Sequence, residues 1–298
     1  MVDITNEWTA LDGTVPEICA THEDPMGALA RGDIPAIILR QQYEQSECGR
    51  LVARFYERDL VDGLPKPGEA IPEKPEFERV DIGTSLGNLG PDRTAFFASA
   101  EATLELHTTL FEGLTDPVKL LYDNLTLVSP GKTAVTAREP NGRIYGPAIF
   151  RCHMPHFGYP PHIDSVRQRE KRTDYAVHRF ETQLAGILSL QPPERSEGAC
   201  DSILYECAWS EELDRLLKMK WTGKKLDMSG GFNRPAFDQY VALTGIRSHR
   251  VILQPGDMYF FNTERLHEVP QFTGHRTRIV EACFFGYSKD DPEIFVWS

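Results

Sequence analysis

The chain has 298 residues, of which 41% are hydrophobic and 26% charged, and its formal net charge is −12. This acidic balance argues against a general affinity for nucleic acid or for an anionic membrane surface. No apolar run approaches the roughly 18 residues of a membrane-spanning helix, and the segment from Met1 to Gly13 is too polar for a secretion signal. The six cysteines show no paired spacing, which is typical of reduced thiols and predicts a cytoplasmic protein.

The N-terminal part, residues 1–140, is predicted to be rich in helices. The apolar run from Ile34 to Arg40 fits a short strand, and Ser46 is the predicted N-cap of the helix that follows. Closely spaced prolines predict a loop over residues 64–79. Two more helices are predicted, from Phe96 to Leu110 and from Pro117 towards Leu127, the second with Asp116 as its N-cap.

From residue 141 onwards the pattern is typical of β-strands. Strands are predicted at residues 147–152, 183–190, 202–208, 250–254, 258–262 and 276–286. The turn Pro255-Gly256-Asp257 separates two of them, and an insertion at 211–246 is expected to hold helices near 211–219 and 235–243. We therefore predict a single α+β domain over residues 1–298, with a β-sandwich or jelly-roll core that has an open mouth.

Three residues form a candidate metal site. His162 and Asp164 are two apart, and His267 follows the predicted strand 258–262. Two imidazoles and one carboxylate are the ligands of a facial-triad iron(II) site, which leaves positions open for substrates and oxygen. In a strand, residues two apart point to the same face, so His162 and Asp164 are expected to reach one ion together. The His-x-Asp pair alone is a weak signal, because such pairs occur often by chance.

Other catalytic and metal-binding patterns find less support. His153 and His156 lie close to Cys152, but no second cluster has the spacing that a zinc site requires. The sequence contains no HExxH and no phosphate-binding glycine loop.

Two arginines are candidates for binding a carboxylate-bearing co-substrate. Arg276 and Arg278 are two apart on a predicted strand, so both are expected on one face. A guanidinium binds a carboxylate through two parallel hydrogen bonds and stays charged when it is desolvated. Arg278 is preferred, since it leads directly into the apolar part of the strand, and Arg276 is the alternative.

At these residues the chain resembles the iron(II)/2-oxoglutarate-dependent oxygenases, and more narrowly the branch of the carbon halogenases of cyanobacterial indole alkaloids. The matching segments are Phe96–Ala100, Thr109–Gly113, Tyr145–Arg151, Ala208–Ser210, Phe284–Ser288 and Val296–Ser298. The resemblance implies a double-stranded β-helix core, iron(II), 2-oxoglutarate and oxygen. It also implies that Tyr145 and Arg151 lie near the active site, where they contribute to binding the co-substrate.

One residue departs from the halogenase pattern. In the halogenases a small residue replaces the carboxylate ligand and a halide takes its place, whereas this chain has Asp164 there. The resemblance then implies hydroxylation, or a related desaturation, epoxidation or cyclisation, of a small molecule of specialised metabolism. A carrier-tethered substrate stays open, as do two alternatives: a non-catalytic jelly-roll module and a cupin-type metal protein without 2-oxoglutarate.

Segments around the predicted site are candidates for contacting the substrate. Residues 166–179 carry five basic residues directly after the metal motif. This segment is either a lid that contacts an anionic group of the substrate or a solvated connecting loop. The proline-rich loop at 64–79 and the segment from Trp221 to Phe237, with Gly230-Gly231 as a bend, also border the predicted pocket.

Overall fold

A computed structural model of the protein describes residues 8–66, 69, 78–194, 199–218, 220–221, 226–227 and 233–298. Helices α1 to α8 span Val15–Thr21, Pro25–Arg31, Gln45–Glu57, Leu86–Leu89, Arg93–Leu110, Pro117–Leu127, Glu211–Lys218 and Arg234–Thr244. Strands β1 to β15 span Leu11–Gly13, Ala36–Leu39, Arg79–Ile82, Thr133–Thr136, Ile149–His153, Tyr159–His162, Thr182–Gln191, Ser202–Ala208, Lys220–Trp221, Leu226–Asp227, Ser248–Val251, Met258–Asn262, Arg265–Val269, Arg278–Tyr287 and Glu293–Trp297. A short 3₁₀ helix covers Ala176–Arg179. The predicted α+β class is confirmed.

Most strands belong to a nine-stranded, largely antiparallel sheet in the order β1-β2-β12-β7-β14-β15-β4. Strand β14 pairs with β7 along one side; on the other side its first half pairs with β5 and its second half with β15. Strand β3 then adds to the outside of β5. The sheet therefore uses four strands from residues 1–140, of which the sequence patterns predicted only β2.

A second sheet of four antiparallel strands, in the order β11-β8-β13-β6, lies across the first. Side chains of both sheets share one apolar cluster, which includes Ile38 and Tyr259 from the large sheet and Leu204 and Val251 from the small one. Because neighbouring residues of a strand point to opposite faces, Tyr205 instead packs outward against Phe237 of α8. The two sheets thus enclose an interior, and the helices of the insertion cover the outer face of the small sheet.

The N-terminal helices cover the outer face of the large sheet. Helices α2, α3 and α6 bury apolar side chains such as Phe55 and Leu121 in a cluster with Phe260 and Phe285 of the sheet. Asp116 caps α6 as predicted, since its carboxylate accepts hydrogen bonds from the N–H groups of the first turn at 2.9 and 3.0 Å. The predicted cap at Ser46 is wrong, because α3 begins at Gln45 with Glu44 in the N-cap position.

The turn Pro255-Gly256-Asp257 links the two sheets rather than forming a hairpin. It connects β11 of the small sheet to β12 of the large one. Gly256 has a φ of +89°, and a Cβ atom there would lie 2.0 Å from the carbonyl oxygen of Tyr43. Glycine is therefore required at this close approach of two backbones.

Some predictions fall on segments of which the structure describes only a part. Most of the proline-rich loop at 64–79, and much of the segment from Trp221 to Phe237 including Gly230-Gly231, lie outside the described residues. The two helices expected in the insertion are present as α7 and α8.

All six cysteines are free thiols. Among the described residues, no helix has the length and hydropathy needed to cross a membrane.

Candidate metal centre

The small sheet brings the two predicted histidine ligands side by side. His162 is the last residue of β6 and His267 is the middle residue of β13, and the two are direct partners in the antiparallel register. Their ring centroids are 4.3 Å apart. Because the neighbouring Leu266 packs outward against the insertion, His267 faces the interior between the sheets, where it contacts Phe261.

Asp164 reaches the same point by a different route from the one expected. Strand β6 ends at His162, so Asp164 lies beyond the strand and the alternation of a strand does not orient it. Its backbone is instead tied to the turn between β12 and β13: its N–H donates to the carbonyl of Thr263 at 2.9 Å. The Thr263 hydroxyl donates back to the Asp164 carbonyl, also at 2.9 Å. Tertiary hydrogen bonds thus place the carboxylate between the two imidazoles.

The three candidate ligand atoms converge. Oδ2 of Asp164 lies 3.6 Å from Nε2 of His162 and 3.4 Å from Nε2 of His267, and the ligand atoms all lie within 4.8 Å of one another. No other group of three such side chains with this convergence occurs in the part of the chain that the structure describes. The donor set fits iron(II), because two imidazole nitrogens and one carboxylate oxygen make a facial triad.

Hydrogen bonds determine which atom of each candidate ligand faces the site. Nδ1 of His162 lies 2.8 Å from the carbonyl of Pro160, and Nδ1 of His267 lies 3.0 Å from that of Arg265. A carbonyl only accepts, so each ring holds its proton on Nδ1 and directs a lone pair on Nε2 into the site. Arg169 donates to Oδ1 of Asp164 at 3.0 Å, which leaves Oδ2 to face the histidines.

The electrostatics of the metal-free site agree with this role. Burial acts to raise the pKa of Asp164, but the two imidazoles outweigh it and hold that pKa well below its ordinary value. Burial and the nearby His162 lower the pKa of His267. For His162, burial acts to lower the pKa, but the Asp164 carboxylate outweighs it and raises the pKa. An ionised carboxylate and a neutral imidazole are the states that a metal ion requires, and binding would displace any proton from His162.

The triad opens into a cavity between the two sheets with an empty volume of about 660 Å³. Its apolar wall includes Ala185, Ile187, Phe261, Val269 and Val280. Its polar residues besides the triad include Arg151, His153, Tyr159, Ser202, Tyr259 and Arg278. A second, outer cavity of about 1200 Å³ shares Arg151, Tyr159, His162, Asp164 and Phe284 with the first and is lined further by Arg79, Asn88, Arg169 and Glu170. The candidate metal centre therefore lies where the inner cavity between the sheets meets the wider outer cavity.

The structure separates the two arginine candidates. Arg278 is 3% exposed, lines the inner cavity and begins β14. Its Nε has no hydrogen-bond partner and lies 3.9 Å from Oδ1 of the buried Asp201. Arg276 precedes the strand and is exposed. The expectation that both share one strand face is therefore wrong, and only Arg278 reaches the cavity.

The two residues implied by the resemblance also have different positions. Arg151 lines both cavities. Tyr145 is fully buried in a separate aromatic cluster with Phe96 and Tyr175, its hydroxyl donates to Glu139, and it lines neither cavity. Burial raises the pKa of Tyr145, so this hydroxyl remains a neutral donor within the core.

Most of the arginines in residues 166–179 form hydrogen bonds that hold this segment against the rest of the fold. Arg167 donates to the carbonyls of Phe180 and Glu181 at 2.9 and 3.2 Å. Arg172 donates to Glu170 and to the carbonyl of Gly87. Of the arginines here, Arg169 is the one that contacts the metal centre. These contacts favour the interpretation of a connecting segment over that of a lid.

Sequence patterns missed two polar features of the cavity. The hydroxyls of Ser202 and Tyr259, near the starts of the largely apolar strands β8 and β12, form a 2.8 Å hydrogen bond across the cavity that Arg278 also lines. At the outer rim Arg79 forms an ion pair with Asp81 and donates to the hydroxyl of Tyr159. The strand β3 that holds Arg79 follows the proline-rich loop, so no local signal marked it.

The sequence matches, over residues 6–298, the family described as carrier-protein-independent halogenase WelO5. The chain belongs to the WelO5 family. This membership confirms the predicted resemblance, and with it an enzyme that depends on iron(II) and 2-oxoglutarate. A comparison with curated proteins gave no significant match.

Among solved structures, two crystal structures of an N-substituted L-amino acid dioxygenase from Burkholderia ambifaria AMMD are similar to the chain. The first shares 16% identity at a TM-score of 0.50 and covers 91% of this chain and 89% of that one. The second, in complex with alpha-KG, shares 18% identity at a TM-score of 0.51 and covers 94% and 91%. At this identity the likeness concerns the fold alone.

Proposed function

We propose that this chain is an iron(II)- and 2-oxoglutarate-dependent oxygenase that hydroxylates an unactivated C–H bond of a small molecule of specialised metabolism. The observation that supports this most directly is the convergence of two imidazole Nε2 atoms and one carboxylate oxygen on a single point. His162, Asp164 and His267 would hold the iron. When bound, the iron supplies the oxidation of a C–H bond with oxygen, while 2-oxoglutarate is converted to succinate and carbon dioxide.

Asp164 is the reason for preferring hydroxylation in a family described as halogenases. In the halogenases that the chain resembles, a small residue leaves a coordination position for the halide. Here the carboxylate points at that position, and Arg169 holds its other oxygen at 3.0 Å. A halide would have to displace an anchored anionic ligand, so the oxygen-transfer outcome is favoured. Desaturation, epoxidation and cyclisation depend on how the substrate lies and are the related alternatives.

The arrangement of the sheets supports a double-stranded β-helix core. The four-stranded sheet and the central strands of the large sheet face each other across one interior. The ligands come from β6 and β13 of the small sheet and from the segment after β6, at the mouth of this interior. Such a jelly roll has an open end where a metal ion can be held.

Arg278 is the proposed partner of the distal carboxylate of 2-oxoglutarate. It lies deep in the inner cavity, near the Ser202 and Tyr259 hydroxyls, and its Nε has no hydrogen-bond partner. A desolvated guanidinium gains more from a carboxylate than an exposed one does. The apolar wall around it would exclude water from the reacting C–H bond.

The substrate would enter through the outer cavity as a free small molecule. The family description refers to independence from a carrier protein, which favours a free substrate over a tethered one. The residues between the two cavities, including Arg151 and Tyr159, are placed to orient it.

The first test is the binding of 2-oxoglutarate to the iron(II)-loaded protein without oxygen, followed by visible absorption. A weak metal-to-ligand charge-transfer band that is lost in His267→Ala supports both the metal site and the co-substrate. Bound iron without a band supports a cupin-type metal protein instead, and no iron binding supports a non-catalytic module. Iron-dependent formation of succinate from 2-oxoglutarate is the corresponding activity.

Asp164→Gly tests the role of the carboxylate. The variant removes one of three protein ligands and is expected to abolish hydroxylation. Turnover like that of the wild type would contradict the site. Assaying the variant with and without chloride also tests whether the vacated position suffices for halide transfer, as the family resemblance suggests.

A further inference from the structure

Arg151 is a cation that lines both cavities and has no hydrogen-bond or ion-pair partner among the described residues. It lies on β5 between Asp81 of β3 and Val280 of β14. Among the described residues its side chain has no hydrogen-bond or ion-pair partner, and its Nε is buried. Burial, and then the Arg79 guanidinium, lower the pKa of Arg151. A half-buried guanidinium whose Nε is buried without a partner gains from any anion that reaches it.

The carboxylates of Asp81 and Asp164 act electrostatically on Arg151, but each already forms an ion pair with another arginine. Asp81 forms an ion pair with Arg79, at 2.6 Å between Nε and Oδ1 and 2.7 Å between Nη2 and Oδ2. Asp164 accepts from Arg169 through Oδ1 and faces the two histidines with Oδ2. Glu170, on the wall of the outer cavity, is paired with Arg172. The positive charge of Arg151 is therefore left for a molecule inside the cavity.

The family resemblance implied that Arg151 contributes to binding the co-substrate, but under the proposed function both carboxylates of 2-oxoglutarate already have other partners. 2-Oxoglutarate has two carboxylates: one would bind the metal held by His162, Asp164 and His267, and the other is assigned to Arg278. Arg278 lines the inner cavity only, whereas Arg151 also lines the outer one, through which the substrate would enter. Position thus separates the two arginines, since only Arg151 faces both the metal and the route of the substrate.

We propose that Arg151 binds a carboxylate of the primary substrate and positions the molecule between the outer cavity and the metal. The inference rests on the proposed function and specifies its substrate class as a carboxylic acid. One unpaired guanidinium balances one negative charge, which suits a carboxylate better than a phosphate dianion. The planar fork of arginine would hold that group by two parallel hydrogen bonds and so restrict which C–H bond faces the iron.

Matched acids and amides test the inference by equilibrium binding rather than by turnover. The probes are 3-phenylpropionate, indole-3-acetate and N-acetyl-L-phenylalanine, each beside its primary amide, titrated calorimetrically into the anaerobic protein with iron(II) and 2-oxoglutarate. In the wild type at least one acid should bind about 10- to 100-fold more tightly than its amide, as expected for a hydrogen-bonded charge pair. In Arg151→Gln that ratio should fall to about one, while Arg151→Lys keeps part of it.

Two controls accompany these variants. Arg50→Gln removes an exposed positive charge from α3 and should behave as the wild type. Circular dichroism shows whether each variant is folded, and Arg151→Lys keeps the test usable if Arg151→Gln is not.

Three results would overturn the inference. They are an acid preference that persists in Arg151→Gln, acids that bind the wild type no better than their amides, and a loss of 2-oxoglutarate affinity in Arg151→Gln as large as in Arg278→Gln. The last result would assign Arg151 to the co-substrate. A wild type that prefers the acids through Arg151 but shows no charge-transfer band would instead refute the oxygenase function and support the carboxylate site.

Discussion

Replacing Arg278 by glutamine should weaken the binding of 2-oxoglutarate far more than the same change at Arg276. The two residues are two positions apart and the substitutions remove the same charge. Arg278 is 3% exposed and lines the inner cavity, whereas Arg276 is exposed and lies before β14. Any difference between the variants therefore reports position and desolvation rather than net charge.

The size of the effect follows from the surroundings of Arg278. Its Nε lies 3.9 Å from Asp201, beyond hydrogen-bonding distance, so its strongest hydrogen bonds are available to a ligand. Removing one partner of a desolvated, hydrogen-bonded charge pair costs about 2–5 kcal/mol, which is roughly a 30-fold to more than 1000-fold rise in the dissociation constant. For Arg276→Gln, where water screens the charge, the change should stay within about twofold.

The assay is a titration of the anaerobic iron(II) protein with 2-oxoglutarate, followed by the charge-transfer band and by calorimetry. Iron affinity and circular dichroism are measured beside it, because Arg278→Gln also removes the cation nearest to the buried Asp201. Equal losses in the two variants, or a loss below about fivefold in a folded Arg278→Gln protein, would refute the reasoning.

Three further predictions concern stability. Asp257→Ala should lower the free energy of unfolding by about 3–5 kcal/mol, because the buried carboxylate accepts hydrogen bonds from Arg40 and from two backbone N–H groups. Asp12→Ala removes the more exposed partner of Arg40 and should lower the free energy of unfolding by less than about 1 kcal/mol. Denaturant unfolding measures both variants, and an equal loss in Asp12→Ala and Asp257→Ala would contradict the prediction. Burial raises the pKa of Glu281 well above its ordinary value, so the folded protein keeps this carboxyl protonated to a higher pH than the unfolded chain does. Stability is therefore lost as the pH rises above about 4.3, by up to about 1.4 kcal/mol per pH unit until the folded pKa is reached. Glu281→Gln should remove that contribution, and stability–pH curves that run parallel for variant and wild type would exclude it. Finally, a metal ion at 100 times its dissociation constant should stabilise the protein by about 2.7 kcal/mol and so raise its melting temperature. A chelator should reverse this rise, and the rise should be smaller in Asp164→Ala. A melting temperature that does not respond to metal would argue against the site.

Local sequence signals located most elements but not all of their boundaries. Asp116 and Pro117 predicted the start of α6 because a capping carboxylate and a proline act within a single turn. Helix α5 begins three residues before the predicted Phe96, where Asp92 caps its first turn. The strands β3 and β4 were missed, since each has only four residues and is stabilised by pairing with distant strands.

The candidate ligands could be named from residue type and order alone. Two imidazoles and a carboxylate form a recognisable donor set wherever they occur in a chain. The position of Asp164 could not be derived in this way. The strand ends at His162, and the carboxylate owes its place to reciprocal hydrogen bonds with Thr263, a hundred residues further along.

By itself, the sequence determined the α+β class of the fold, and it predicted the three candidate metal ligands and a carboxylate in the position that a halide takes in the halogenases. These properties reside in residue types and short spacings. Only the tertiary structure decided which arginine reaches the cavity, that Tyr145 belongs to a separate aromatic cluster, and that Arg151 has no hydrogen-bond or ion-pair partner in the part of the chain that the structure describes. Those outcomes depend on which strands pair and on which charges are already matched, and both are properties of residues far apart in the chain.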